Sequence, residues 1–468
     1  MPGGFFISKD TMIDIDKIEG VFKETVVALD RGGLSWAARV DSAIETAGLG
    51  KGLDIEDAAT LLCIVDKGSR ERLYKTAAQV KDRSFGNRVV LFAPLYLSNY
   101  CSNGCVYCGF RAGNAAAGRK ALSVDEAVAE ARALEAVGFK RVLLVTGEDA
   151  RYGVDFIAER VKAIYSKTGI RIVHVNAPPC DVEGLKVLKE AGVGVYQSFQ
   201  ETYHKPTYNL MHLTGRKKDY GYRLSVMDRA LEAGFQDVGI GALLGLYDFR
   251  FDSLAAIAHS RYLNERWGTH AHTVSVPRLR PADEWGVKDT PFQVTDEDMK
   301  LITAVYRVSL PATGVVVSTR ESAELRSALL HCGASQLSAG SRTNPGGYSE
   351  KRSIEQFSTD DKRSLEEVMS SIAREGFMPS LCTTCYRVGR VGHEFTQTTI
   401  SGNMERLCQA NAILTLKEYI EDSRANGSKE MLEKAMLSSI DGIKDPSMKK
   451  AVLKKLKRVE QGERDMFF

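Results

Sequence analysis

Nine cysteines stand at positions 63, 101, 105, 108, 180, 332, 382, 385 and 408, and six of them form two groups of three. An odd number of cysteines in a large chain argues against a disulfide framework, so the groups read as metal sites or catalytic thiols. The first group, Cys101-Ser-Asn-Gly-Cys105-Val-Tyr-Cys108, is a CX3CX2C motif. Three thiolates this close can fold round one face of a cubic iron–sulfur cluster and leave the fourth iron without a protein ligand. An open iron of that kind is what a small molecule with an amine and a carboxylate can chelate. A structural zinc site wants four Cys or His ligands, and no fourth follows nearby. The second group is Cys382-Thr-Thr-Cys385 followed by Cys408, with 22 residues between the last two. Read alone it suggests a zinc ribbon. Three ligands again fall one short of a closed site, which suits a second cluster with an open iron. The singletons have no assigned chemistry; Cys63, in the apolar run at 61–65, reads as a buried small hydrophobe.

The elements that must position these thiols are legible as an alternation of short apolar, β-branched runs with amphipathic helical stretches, the pattern of βαβ units on a parallel sheet. Eight strands are expected, at 88–96, 141–146, 171–176, 194–200, 236–243, 272–277, 314–318 and 335–339. Ser123 and Glu126 form a capping box before a helix over 127–137, and Gly138 ends it. Gly169, Gly192, Gly234, Gly268 and Gly333 follow their own helices in the same way. Eight strand–helix pairs in about 250 residues match a (β/α)8 barrel of the TIM type. Periodicity cannot show closure, so an open doubly wound sheet stays possible; in both, the active site lies at the carboxyl ends of the strands. The chain divides into an N-terminal helical region (1–85), the barrel (86–345) and a C-terminal helical domain with the second cysteine group (346–468). Amphipathic stretches at 55–65 and 411–420 belong to the helical extensions. The basic stretch 449–458 reads as a solvated helix face.

The 468 residues carry 63 Lys plus Arg against 60 Asp plus Glu, and 44% are hydrophobic. This is the composition of an ordinary globular protein, and a net charge of +3 gives no reason to expect a nucleic-acid or anionic-membrane partner. No apolar run approaches the roughly 18 residues needed to span a bilayer. Residues 1–9 lack a basic segment followed by an apolar stretch and cleavage site, so the expected location is the cytoplasm.

With Tyr107 before its last cysteine, the CX3CX2C motif resembles that of the radical S-adenosylmethionine superfamily. The resemblance implies a [4Fe–4S] cluster on Cys101, Cys105 and Cys108 that reduces bound S-adenosylmethionine and releases a 5′-deoxyadenosyl radical, with Tyr107 and Phe110 beside the cofactor. Thr146-Gly147-Glu148 resembles the motif that holds the methionyl amine, which makes Glu148 the candidate. The stretch Val238-Gly-Ile-Gly-Ala-Leu-Leu-Gly245, with Gly239 and Gly241, resembles the adenine-side motif. Glu201 matches a position used for the ribose or methionyl group, and Arg223 one that pairs with the methionyl carboxylate. Together with Cys382, Cys385 and Cys408, the chain resembles the tyrosine lyases of [FeFe]-hydrogenase maturation over nearly its whole length. Matching stretches include Leu95-Tyr-Leu-Ser-Asn-Tyr-Cys101, Phe199-Gln-Glu-Thr-Tyr-His204, His272-Thr-Val-Ser-Val-Pro-Arg278, Ser318-Thr-Arg-Glu321 and Cys382-Thr-Thr-Cys-Tyr-Arg-Val-Gly-Arg390. The sister tyrosine lyase of thiamine biosynthesis shares the barrel but lacks the second cysteine motif.

That resemblance implies cleavage of the Cα–Cβ bond of L-tyrosine to p-cresol and dehydroglycine. At a second [4Fe–4S] cluster with an additional labile iron, dehydroglycine then becomes carbon monoxide and cyanide, giving an iron–carbonyl–cyanide unit for a hydrogenase cofactor. It implies Arg320, with Ser318, as the clamp for the tyrosine carboxylate, and a guanidinium fork suits that task. It makes His272 the ligand to the extra iron, with His270 a rival. It also implies a ferredoxin- or flavodoxin-like electron donor and other hydrogenase maturation proteins as partners. The sequence departs from the family at Met211-His-Leu-Thr-Gly-Arg216, where Leu213 and Arg216 replace the usual residues, at Val391 in place of Thr, and at His393-Glu-Phe-Thr396. The alternatives are a tyrosine lyase feeding dehydroglycine to another pathway and a non-catalytic metal carrier.

Overall fold

The computed structural model describes residues 12–280, 292–349, 355–422 and 424–468, so the stretch 1–9 read for an export signal lies outside the described residues. Its centre is eight parallel strands: β1 (Arg88–Ser98), β2 (Arg141–Thr146), β3 (Ile172–Asn176), β4 (Tyr196–Gln197), β5 (Val238–Gly241), β6 (Thr273–Ser275), β7 (Gly314–Val317) and β8 (Gln336–Ser338). Each pairs with the next in chain order. β1 also pairs with β8, through Val90 and Gln336, while its other edge pairs with β2, through Tyr96 and Val145. The sheet is therefore closed, which removes the open doubly wound alternative.

The strands were legible because a parallel barrel strand is covered on both faces and so is written as a nearly continuous apolar run. Leu95, Leu144, Val175, Val274 and Val315 are fully buried. The fourth run is a regular strand over only two residues; beyond it Ser198 and Gln200 N–H still donate to Gly239 and Gly241 of β5, and Glu201, at φ 69°, bridges Ala242. The capping box of Ser123 and Glu126 is present, on the helix Val124–Ala136, and Gly138 at φ 115° turns the chain toward β2.

A ninth strand, β9 (Met378–Ser380), lies parallel to the beginning of β1, with Met378 opposite Arg88. It was not expected, since it is three residues long and centred on Pro379, which cannot donate to a ladder and belongs at an edge. Its effect is to carry Cys382 to the amino-terminal end of the barrel. There the helices Lys67–Phe85 and Asn403–Glu421 pack together. The stretch expected at 55–65 is helical only over Ile55–Leu62, because Cys63 caps it and Asp66 starts the next helix. In Pro446–Glu460, Val452 and Leu456 are buried while Leu453 is exposed, as a solvated amphipathic face requires. Among the described residues no helix is long and apolar enough to cross a membrane.

Candidate functional site

The first cysteine group sits on the loop after β1, and its backbone is held on three sides. Ser102 N–H donates to the Glu148 carbonyl (2.8 Å), Gly104 N–H to Thr214 (3.1 Å) and Val106 N–H to Met211 (3.1 Å). Gly104 is required here, since a Cβ would lie 2.6 Å from Thr214 Oγ1. The three thiols line a cavity of about 210 Å³ at the carboxyl ends of the strands, together with Tyr107, Phe110, Glu148, Glu201, Arg223, Ser318 and Arg320. Burial, and after it the neighbouring Cys108 and Cys101, push the Cys105 thiol up to about 12 against the pull of Lys217. The thiols are thus kept neutral in spite of Lys217, and binding as thiolates needs the further positive charge that iron would supply. Among the described residues no three Cys, His, Asp or Glu side chains converge tightly enough for a single metal ion. Thiolates bound to separate irons of one cluster need no such convergence, so the donor set fits a cluster better than zinc.

Around these thiols the charges are specific. Glu148 Oε2 accepts from Asn103 Nδ2 (2.7 Å), and Asn103 Oδ1 accepts from Lys217 N–H (3.0 Å). Gly147 lets this strand end press on the cysteine loop, for a Cβ there would lie 2.3 Å from the Tyr100 carbonyl oxygen. The buried Glu201 receives Lys217 Nζ at 2.6 Å and has Arg223 Nη2 at 3.7 Å. Burial would raise its carboxyl, but Lys217 and Arg223 hold it below the ordinary range. The Tyr107 hydroxyl lies 2.8 Å from His212 Nε2. Across the cavity, Arg320 stacks 3.3 Å over Phe357 and pairs with no carboxylate among the described residues; neighbouring Glu321 is engaged by Arg278 and Arg280. Gly239 and Gly241 do not line this cavity. Cβ atoms there would instead meet Gln197 and Thr273 in the lumen, and Phe199.

Cys382, Cys385 and Cys408 line a second, smaller cavity of about 40 Å³. It lies at the opposite end of the barrel, since Arg88, Arg141, Gly314 and Gln336 open their strands and His272 immediately precedes β6. Cys382 Sγ accepts from Thr384 N–H (3.4 Å). Burial, then Cys408 and Cys382, push Cys385 up to about 12, and the buried Arg88 lines the same cavity as the three thiols. The donor set again suits a cluster. His272 Nε2 is 2.8 Å from the Tyr386 hydroxyl, and its Nδ1 is 3.3 Å from Asp237 Oδ1 without the alignment of a hydrogen bond. His270 lies outside this cavity, near Ser260. Leu213 is exposed, and Val391 starts the helix Gly392–Ile400.

A third void of about 10 Å³ lies in the lumen between the two. It shares Phe92, Leu143, Gln197 and Val316 with the first cavity and Arg141, Gln336 and Tyr386 with the second. Sequence reasoning missed Asn103, Lys217, Arg88, Arg141 and Tyr386. It also missed Gln356, whose Nε2 points at Cys108 Sγ (3.8 Å) and whose Oε1 accepts from the Tyr96 hydroxyl (2.7 Å). The one available signal was that Lys217 adjoins the departing tract ending at Arg216.

Comparison with known proteins places this geometry. Residues 95–259 match the Radical SAM superfamily, and residues 275–378 the Biotin and Thiamin Synthesis associated domain. The chain is 35% identical to 2-iminoacetate synthase of Escherichia coli (strain K12) over 347 residues, 73% of this chain and 89% of that one. Its structure is similar to the crystal structure of HydG, a maturase of the [FeFe]-hydrogenase, with TM-score 0.91 and 40% identity, covering 97% of this chain and 99% of that one. It is also similar to HydG from Carboxydothermus hydrogenoformans, with TM-score 0.83 and 35% identity over 94% and 98% of the two chains.

Proposed function

The chain belongs to the radical S-adenosylmethionine superfamily, in the family of 2-iminoacetate synthase and HydG, and from that premise we propose its reaction and the residues that perform it. It is a carbon–carbon lyase that cleaves L-tyrosine to p-cresol and dehydroglycine. It goes on to make carbon monoxide and cyanide for hydrogenase maturation. The observation that carries the reading is the placement of two cysteine triplets at opposite mouths of one barrel, with the lumen between them.

Cys101, Cys105 and Cys108 hold a [4Fe–4S] cluster, which with S-adenosylmethionine supplies a 5′-deoxyadenosyl radical. Glu148, kept in place by Asn103, accepts hydrogen bonds from the methionyl amine. Arg223 faces the methionyl carboxylate, Glu201 the ribose or methionyl group, and Tyr107 and Phe110 close the cavity beside them. Gly239 and Gly241 shape the strand next to the adenine side. Arg320, which has no carboxylate partner of its own among the described residues, takes the tyrosine carboxylate with Ser318. The barrel walls exclude water from the radical.

Cys382, Cys385 and Cys408 hold the second cluster, which with an additional labile iron supplies the place where dehydroglycine becomes the two diatomic products. His272, whose Nε2 lies against the Tyr386 hydroxyl, is the residue that would hold that iron. In this reading residues 86–345 are the radical barrel unit, 346–468 carry the second site and 1–85 make up the N-terminal region. A ferredoxin- or flavodoxin-like protein delivers electrons, other hydrogenase maturation proteins receive the product, and nine free thiols suit the reducing cytoplasm.

The test is reconstituted protein given S-adenosylmethionine, tyrosine and a strong reductant. The expected products are p-cresol, cyanide and carbon monoxide. Absence of p-cresol would overturn the lyase reading, and p-cresol without the diatomic products would indicate a supplier of dehydroglycine to another pathway.

A further inference from the structure

Two arginines open adjacent strands onto the second cavity, Arg88 at the start of β1 and Arg141 at the start of β2. Both are buried, at 8% and 7% exposure, and the Nε of each has no hydrogen-bond partner among the described residues. Arg141 is fixed, since its Nη2 donates to the Cys382 carbonyl (2.9 Å) and its guanidinium lies 5.3 Å from the centre of the Tyr386 ring. Among the described residues the cavity lining holds no Asp or Glu. The first cavity differs, for Glu148 and Glu201 line it beside Lys217, Arg223 and Arg320.

The surroundings add positive charge. Arg307 is fully buried and lies 5.0 Å from the centre of the Phe85 ring, and Arg88 lies 5.3 Å from the same ring. Arg307 donates to the carbonyls of Gly333 (2.9 Å), Pro311 (3.0 Å) and Thr313 (2.9 Å) and to Ser335 Oγ (3.2 Å), all of them neutral. Asp237 stands outside the lining, where its Oδ1 accepts from Gly392 N–H (2.9 Å) and lies 3.3 Å from His272 Nδ1. Buried cations that nothing compensates are strongly unfavourable, so this arrangement calls for an anion in the cavity. A [4Fe–4S] cluster on three thiolates is such an anion. It carries one net negative charge when oxidised and two when reduced, and the two guanidiniums of the lining match the reduced form. Positive charge beside a cluster and hydrogen bonds to its sulfurs both act on its potential.

We propose that Arg88, with Arg141, is the counter-charge of the second cluster and raises its reduction potential by stabilising the reduced form. This rests on the reading of Cys382, Cys385 and Cys408 as cluster ligands. One electron enters from the ferredoxin- or flavodoxin-like donor, no thiolate bond breaks, and the added negative charge is met by the guanidiniums.

The test is a redox titration followed by electron paramagnetic resonance on cluster-loaded protein, unmodified and as Arg88→Gln, Arg88→Lys and Arg141→Gln. Iron and sulfide are counted on each preparation. S-adenosylmethionine separates the two signals, because it binds at the first cluster and should leave the spectrum of the second unchanged. In Arg88→Gln the oxidised-to-reduced ratio of the second cluster at a fixed potential should rise about tenfold or more, a fall in midpoint of about 59 mV for one electron. Arg141→Gln should act in the same direction, while Arg88→Lys, which keeps the charge, should change the ratio less than about threefold. The first cluster should keep its midpoint throughout. An unmoved second midpoint in Arg88→Gln that retains its iron would overturn the proposal, and so would an equal shift in Arg88→Lys or in the first cluster. If Arg88→Gln loses the second cluster, Arg88→Lys decides: iron retained with a midpoint near that of the unmodified protein supports the counter-charge, and iron lost from both overturns it. Failure of the cluster reading is read separately, as iron and sulfide for one cluster only in the unmodified protein, which would remove the counter-charge role with it.

Discussion

Replacing Lys217 by Met tests how the first cavity sets its charges. Lys217 Nζ is 2.6 Å from Glu201 Oε1, both side chains are 12% exposed, and Arg223 is the next cation at 3.7 Å. Removing one partner of a buried pair costs about 3–5 kcal/mol, because the other charge is left uncompensated. Arg223 stays and compensates in part, so about 2 kcal/mol is the expected loss, roughly a 30-fold change in an equilibrium constant. Glu201 is also held at φ 69°, a conformation costing a non-glycine residue about 1–3 kcal/mol, so its position depends on such contacts. If Glu201 contacts S-adenosylmethionine, the loss falls on that affinity. The assay is a binding titration of cluster-loaded protein in four forms: unmodified, Lys217→Met, Glu201→Gln and the double variant. Lys217→Met should weaken binding about 30-fold in the unmodified background and little beside Glu201→Gln, the signature of coupled residues. An equal loss in both backgrounds would refute the idea that Lys217 acts through Glu201.

Arg320→Lys keeps the charge but loses the fork and the stacking on Phe357, so KM for tyrosine should rise about tenfold or more while S-adenosylmethionine affinity holds. Equal effects on both ligands would take Arg320 out of the tyrosine clamp. Lys81 is 1% exposed, its Nζ has no hydrogen-bond partner among the described residues, and the carboxylate of Asp82 is 3.8 Å away. Burial, helped by Arg88 and Arg307 and opposed by Asp82, brings its pKa from 10.5 down to about 7. Between those values the unfolded chain binds more protons than the folded one, so this group makes stability rise with pH. Lys81→Met should therefore raise the thermal midpoint most at and below pH 7, by the equivalent of up to about 4 kcal/mol, with the gain shrinking toward pH 10. A gain independent of pH would contradict the buried amine.

The eight barrel strands were legible because burial on both faces writes each as an apolar run, and closure followed once β1 was seen to pair with β8. β9 was not, since three residues around Pro379 carry no periodicity and owe their extended form to the edge of β1. The cysteine triplets were visible as local spacing. That they occupy opposite ends of one barrel was not, because it depends on where β9 delivers Cys382. Contacts such as Asn103 with Glu148, separated by 45 positions, or Gln356 with Cys108, separated by 248, join residues whose types are unremarkable in their own neighbourhoods. Lys217 is the middle of three consecutive basic residues, a run with no local sign of burial, and only the fold buries it against Glu201.

The central claim is that two separate sites divide the work. It is tested most directly by reconstituting Cys385→Ala beside the unmodified protein and measuring p-cresol, cyanide and carbon monoxide from the same tyrosine reaction. The account predicts that the variant keeps much of its p-cresol and loses both diatomic products. Loss of p-cresol in step with cyanide and carbon monoxide, from protein that still holds the first cluster, would contradict it.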